Sequence, residues 1–343
     1  MFNFNQTTYR WMTIAVSMLL TVLIVQKLCL NQEAEEKMVR YEDDPSAKEG
    51  QDWIGPNTKR RKYTTNGKIA INQSDYLTSN LIRVCADIQR RYGFVIVQLL
   101  NYAYINMTKS WICNLEQFDD VMQRVVFIAT DQTTYDELFK WRHSLNVVFA
   151  QYGSENALRW GHVSYFKYCL FRAQIIDALL NHNISVLMTE SDAVWFSYPL
   201  HAFKPTDEAV DMIVNSDKYE GGNGFCTCLL FLNATTNTRR VWGTLTKRLD
   251  QKLSQFTEEG AIRKNGFAQE MFYRIVMNDD EIATRFLPNK QFVSGQWYSS
   301  KVIQNAADPI ILQNNFIAGN TNKIKRAIKW GHWFLSENAS HCL

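Results

Sequence analysis

The sequence lacks the short motifs that mark several common catalytic and cofactor sites. It has no GxxxxGK[ST] run, which removes a P-loop, and no GxGxxG, which removes the dinucleotide fingerprint. Without GxSxG there is no nucleophile elbow, and a hydrolase finds no visible nucleophile motif. The six histidines show no HxxxH pairing. Cys226-x-Cys228 has no second pair at zinc spacing, so structural cysteines or a disulfide fit it better. Charge of one sign is also missing: 37 Lys and Arg stand against 34 Asp and Glu, for a net +3. No broad basic field therefore argues for nucleic acid. The positive run Lys59 to Lys62 reads as a solvated linker, or more sharply as a target for a basic-site protease. Internal repeats are absent, and the 46% hydrophobic, 21% charged composition is that of a globular chain.

What is present begins with an uncharged stretch, Trp11 to Val25, extended to Leu30. Its length approaches the ~20 residues needed to span a bilayer, and no small-x-small cleavage site follows. The expectation is a cytoplasmic tail over 1–10, a transmembrane anchor over 11–30, a polar stem over 31–66 and a lumenal body over 67–343. Charges flanking the anchor orient it weakly. Five Asn-x-Ser/Thr sequons, at Asn72, Asn106, Asn183, Asn233 and Asn338, lie beyond it and favour a lumenal body. Beyond Cys29, six cysteines remain that could pair in an oxidising lumen.

Within the body, apolar runs alternate with helical patterns. Phe94 to Leu100, Val125 to Ala129, Val147 to Phe149 and Ile184 to Thr189 read as strands. Asn106 to Phe118 and Ser164 to Asn181 read as helices, and Thr134 with Glu137 has the spacing of a capping box. This alternation predicts an α/β fold with a mostly parallel sheet covered on both faces. Ligands of such sheets sit beyond the carboxyl ends of the strands. Asp131 lies at one such end, and Glu190-Ser191-Asp192 at another.

Two carboxylates one residue apart suit a hard cation such as Mn²⁺ or Mg²⁺. The plainer alternative is a turn whose short side chains cap backbone N–H groups. Asp131 likewise reads either as a site residue or as a helix cap. Gly221-Gly222-Asn223-Gly224 precedes an apolar run rather than a helix and reads as a turn. The aromatic residues are mostly core, although any near a site could stack on a base or a sugar.

Taken in order, several stretches resemble the nucleotide-diphospho-sugar transferase family that includes plant rhamnogalacturonan xylosyltransferases. They are Leu99 to Tyr104, Trp111 to Leu115, Val125 to Asp131, Leu187 to Leu200, Asn223 to Phe225 with Phe231, Phe292 with Gly295, and Ile311 to Lys323. The resemblance implies a GT-A-like fold, a UDP-sugar donor, a bound Mn²⁺ (or Mg²⁺), and transfer with retained configuration to a glycan or glycoprotein acceptor in the Golgi. It also implies roles by position. Glu190, Asp192 and Gln313 would hold the metal. Tyr102 and Asp131 would lie near the nucleotide, Asn223 would face the donor sugar, and Asn315 and Lys323 would approach the diphosphate. Asp192 and Glu270 would serve catalysis.

Three positions depart from the family's pattern. Glu190 stands where it has Asp, Gln313 where it has His, and Ala268-Gln269 where it has Asp-Gln. An acceptor-side carboxylate is then missing unless Glu270 replaces it. A binding or partner protein on the same fold, with weakened chemistry, is the competing expectation.

Overall fold

The computed structural model describes residues 71–343, except 154, 205–209, 217–223 and 257–267. The anchor, the stem, the basic run and Asn223 lie outside the described residues. Among those described, no helix is long and apolar enough to cross a membrane.

A long helix, α1 (Ile71–Tyr92), ends where Gly93 takes φ 88° and its N–H bonds to the Gln89 carbonyl at 2.7 Å. Only a residue without Cβ adopts that geometry at little strain, so the chain leaves the helix directly into a strand. That strand, β1 (Val95–Leu100), is buried along its whole length, as is β2 (Val125–Ala129). Continuous apolar runs of this kind suit strands covered on both faces.

The remaining strands of the main sheet are β3 (Asn146–Phe149), β4 (Val186–Thr189), β6 (Met212–Ser216), β7 (Phe225–Leu232) and β8 (Thr284–Phe286). Seven strands lie in the order β3-β2-β1-β4-β7-β6-β8. All run in one direction except β7, which is antiparallel to both neighbours. The expected mostly parallel α/β sheet is thus found, with one reversed strand, the fifth in this order. A second sheet joins β5 (Val194–Trp195), β10 (Ile311–Leu312) and β9 (Phe292–Val293) in the order β5-β10-β9.

Residues of β1 alternate between two cores. Val95, Val97 and Leu99 pack in a cluster with α1, α5 (Val163–Asn181), α6 (Thr236–Leu253) and α7 (Ala268–Met277). Ile96 and Leu100 pack on the other face with α2 (Ile105–Leu115), α3 (Val121–Arg124) and the small sheet. The alternation is the pleat's period of two written in side chains.

Three sequence readings are refined by the structure. The helix after β2, α4 (Gln132–Trp141), is capped by Asp131, which accepts from the Thr134 N–H at 2.8 Å. Thr134 is therefore inside the helix, and Glu137 pairs with Lys109 at 2.5 Å instead of closing a capping box. Of the six body cysteines, four pair, as Cys113–Cys342 and Cys226–Cys228, while Cys85 and Cys169 are free and buried. Burial pushes the Cys85 thiol up to about 12. Asn233 is also not a free sequon: its amide donates to the Val210 carbonyl at 3.2 Å and its oxygen accepts from Ser185 at 3.0 Å. Asn106, Asn183 and Asn338 are exposed.

Candidate active site

The rim formed by the carboxyl ends of β1, β2 and β4 collects most of the described candidate residues. After β4 the chain makes a tight turn, with the Ala193 N–H bonded to the Glu190 carbonyl at 3.2 Å. The next strand, β5, is held firmly. Asn114 of α2 exchanges two hydrogen bonds with the Trp195 backbone, at 2.8 and 3.0 Å, and the Trp195 ring meets Trp111 edge-on at 6.1 Å. The tryptophan behind the acidic signature thus anchors the turn in the core.

The turn alternative is half right. A turn is present, but its carboxylates face cations brought from elsewhere in the chain. Glu190 meets Arg172 of α5 at 3.0 Å. Asp192, whose side chain is only 7% exposed, meets Lys323 at 2.6 Å. Lys323 belongs to α9 (Asn320–Lys329), which follows α8 (Lys301–Ala306).

Burial, and then the Asp192 charge, raise the Glu190 carboxyl above its usual range, against the pull of Arg172 and Lys323. Burial disfavours the Lys323 ammonium, yet Asp192 and Glu190 hold its pKa above the ordinary lysine value. Arg172 follows the same pattern, with burial opposed chiefly by Glu190. The two cations are thus sustained by the carboxylates beside them.

Asp131 is built differently. Besides the Thr134 N–H, it accepts from the Thr134 hydroxyl at 2.8 Å and from the Tyr102 N–H at 3.0 Å. It is buried, and it pins the turn that carries the exposed Tyr102 ring. The structure brings these two residues together, with Asp131 as the clamp and Tyr102 as the available surface.

The closing segment assembles beside Asp192. Strand β10 pairs with β5 so that Leu312 faces Val194, which sets Gln313 beside Ala193 one residue further on. Gln313 is buried, and neither its Oε1 nor its Nε2 has a hydrogen-bond partner. Next to it, Asn315 Oδ1 accepts from the Gly295 N–H at 2.5 Å. A Cβ at Gly295 would run into the Asn315 carbonyl, which explains the glycine after Phe292. Arg326 locks this segment to α9 by bonds at 2.6 Å to Asn314 Oδ1 and to the Asn315 carbonyl. Gly319 caps α9 without a side chain, and Asn320 donates to the Ala103 carbonyl at 2.8 Å. The first N–H groups of such a helix, with Lys323 in its first turn, form a ready anion seat.

Glu270 is placed less centrally than expected. Its carboxylate bonds Arg274 on the same helix at 2.5 Å. Its neighbour Gln269 reaches the sheet, accepting from the Thr227 N–H of β7 at 3.3 Å.

Sequence reasoning missed Arg172, Tyr104 and Tyr168. Burial raises the Tyr104 hydroxyl, and Lys323, Glu190 and Asp192 are the charges it feels. Tyr168 and Arg172 line a small cleft with Gln98, Thr189 and Glu190. A basic residue within the largely buried run of α5 was the available signal for Arg172.

Among the described residues no group of three or more His, Cys, Asp or Glu stands close enough to hold a metal. A divalent cation nevertheless fits the donor set present: two neighbouring carboxylates beside a strand whose Gln313 carbonyl oxygen is buried and unpartnered.

Residues 120–327 match the family model described as nucleotide-diphospho-sugar transferase. A UDP-D-xylose:L-fucose alpha-1,3-D-xylosyltransferase of Arabidopsis thaliana is 23% identical, over 81% of this chain and 80% of its own. A UDP-galactose:fucoside alpha-3-galactosyltransferase of Dictyostelium discoideum is 22% identical, over 71% of this chain and 43% of its own. Among solved structures, the glycosyltransferase GlyE of Streptococcus pneumoniae overlaps 71% of this chain and 60% of its own, with 15% identity and a TM-score of 0.44, too loose to bear on function. With the family model covering more than half its length, the chain belongs to the nucleotide-diphospho-sugar transferase family and is a glycosyltransferase.

Proposed function

We propose that this glycosyltransferase takes its sugar from a UDP-sugar, xylose or galactose by analogy with the relatives' donors, and places it on a glycan or glycoprotein acceptor. Both relatives named above act on fucose or a fucoside, so a fucosyl acceptor is the first to test. The observation that carries this reading is the charge pairing at the rim. Glu190 and Asp192, separated by one residue, are each matched by a distant cation, and Lys323 stands in the first turn of a helix with an open N-terminus. A corner with both carboxylates and an anion seat suits a diphosphate carried with its counter-ion.

In this reading Glu190, Asp192 and Gln313 would hold Mn²⁺ or Mg²⁺. Such an ion neutralises a diphosphate and stabilises it as a leaving group. The chain's own residues do the rest. Tyr102 offers a ring for the base, positioned by Asp131. Lys323 and the first amides of α9 receive the negative charge that grows on the UDP as the bond to sugar C1 breaks. The acceptor hydroxyl forms the new bond to C1, with its configuration retained. Gln269 and Glu270 sit on the helix that would border the acceptor.

The compartment reading rests on the apolar segment 11–30, uncharged from Trp11 to Val25, and on the Cys113–Cys342 disulfide, which persists in an oxidising lumen. A Golgi membrane protein with a lumenal body accommodates both.

A non-catalytic partner on the same fold is favoured by two features, the replacement of the closing imidazole by Gln313 and of the acceptor-side carboxylate by Ala268. The two readings separate in one experiment. The full chain in detergent is given a panel of UDP-sugars with and without Mn²⁺, and hydrolysis and transfer to fucosides are followed. Turnover of one donor supports the enzyme. UDP binding without turnover supports the partner protein, and no thermal shift with UDP and Mn²⁺ removes both.

A further inference from the structure

We infer that the Cys226–Cys228 disulfide is a positioning element of the donor site: it seats Asn315 and, through it, the segment that carries Lys323. This rests on the donor-site reading above. Strand β7 is the reversed strand of the sheet, so its N-terminal end lies at the rim where β4 ends; Leu229 pairs with Thr189, one residue before Glu190. Residues two apart on a strand share a face. Cys226 and Cys228 therefore point together, and Thr227, between them, bonds Gln269 through its N–H at 3.3 Å.

Over that pair sits the Asn315 side chain. Its Nδ2 lies 3.9 Å from Cys226 Sγ and 4.0 Å from Cys228 Sγ, close to equidistant from the two sulfurs. From there the contacts run without a break. Asn315 Oδ1 takes the Gly295 N–H, and the Asn315 carbonyl takes Arg326. Arg326 also holds Asn314, whose amide donates to the Lys323 carbonyl at 3.0 Å. Lys323 then reaches Asp192 at 2.6 Å.

The chemistry explains why a disulfide rather than two thiols suits this seat. Disulfide sulfurs can only accept, and Asn315 presents an N–H₂ that can only donate. Two thiols would each bring an S–H donor against the same amide and would be free to rotate. The absence of a Cβ at Gly295 is what lets the Asn315 carbonyl sit this closely. The other disulfide, Cys113–Cys342, ties α2 to the chain's last residues and serves as an internal comparison.

The test measures UDP binding in the presence of Mn²⁺ by calorimetry on the full chain. Replacing both cysteines, Cys226→Ser with Cys228→Ser, should weaken UDP binding by about 10-fold, the usual effect of removing a supporting contact behind a ligand-holding group. The donor KM should rise more than kcat falls. Adding Asn315→Ala to that variant should weaken binding little further, because both changes break one link. Unchanged UDP affinity in the folded double variant, or losses that simply add, would overturn the inference.

Should the variant fail to fold, the unaltered chain still decides. A dithiol reductant opens a disulfide by giving two electrons and two protons, becoming a disulfide itself and leaving two thiols. Saturating UDP with Mn²⁺ should slow this at Cys226–Cys228 and not at Cys113–Cys342, as read by alkylation and mass spectrometry. Binding and its effect on the seat are reciprocal. Equal reduction rates in a protein that binds UDP remove the inference alone. A chain that binds no UDP removes the donor-site reading, and this inference with it.

Discussion

Two acidic strand-ends share one rim of this sheet, and they are built in opposite ways. Asp131, after β2, has its donors in hand from its own neighbourhood: Thr134 twice and the Tyr102 N–H. Glu190 and Asp192, after β4, get theirs from Arg172 on α5 and Lys323 on α9, and beside them the side-chain amide of Gln313 is buried without a hydrogen-bond partner. Local, complete satisfaction is what a cap needs to stabilise a helix. Carboxylates held by cations from distant segments, beside a buried and unpartnered side-chain amide, suit the donor site proposed above. The difference separates a residue that shapes the site from residues that would act in it.

The strongest way to break that distinction is at Asp192. Asp192→Asn should lower transfer by about two to three orders of magnitude, the usual loss when a charge-stabilising group is removed. The protein should stay folded, although the Lys323 ammonium loses its buried partner and stability falls by about 3 kcal/mol. Steady-state kinetics and a thermal melt check both halves. An unfolded variant would make Asp192 structural, like Asp131. Gln313→His sharpens the same side: imidazole binds Mn²⁺ better than a carboxamide does, so affinity should rise by about 10-fold in a metal titration followed by electron paramagnetic resonance. Unchanged affinity would place position 313 outside the metal's ligands.

At Asp131 the expected balance reverses. Asp131→Ala removes the cap of α4 and should cost about 1–2 kcal/mol, seen as a melting temperature lower by about 4 °C. Activity should fall less than in Asp192→Asn, since the ring of Tyr102 remains. A variant that melts normally but loses donor binding would move Asp131 from shaping the site to contacting the nucleotide.

How much of this was legible beforehand follows from how far each cause lies along the chain. Strands such as Val125–Ala129 were plain because burial on both faces writes an unbroken apolar run. The acidic turn was legible because its residues are adjacent. Its partners were not: Arg172 and Lys323 become its neighbours only through the fold, and a lone arginine in α5 gives no sign of where it points. For α4 the sequence offered two starts: Thr134 and Glu137 have the spacing of a capping box, but Asp131, read also as a cap, stands three residues earlier and takes the position. The reversed direction of β7 left no trace in its composition, and so the placement of Cys226 and Cys228 at the rim was also invisible.

The mildest expected effect tests whether the Glu190 side of the corner acts as a charged group. Burial and the neighbouring Asp192 hold the Glu190 carboxyl above its ordinary range in the folded protein. Its proton therefore returns at a higher pH than in an unfolded chain. As pH falls through that raised value, Glu190 becomes neutral while Arg172 stays charged, and donor binding that needs the carboxylate declines. Stability moves the other way. Between the ordinary and the raised value the folded state binds more protons than the unfolded one, so this group's contribution weakens as pH rises across that window. The acid limb of kcat/KM should accordingly lie above the ordinary glutamate range, and Glu190→Gln should flatten it while lowering the plateau. If the limb keeps its position in that variant, the titrating group is another one, and Glu190 belongs with Asp131 among the residues that only hold the site in shape.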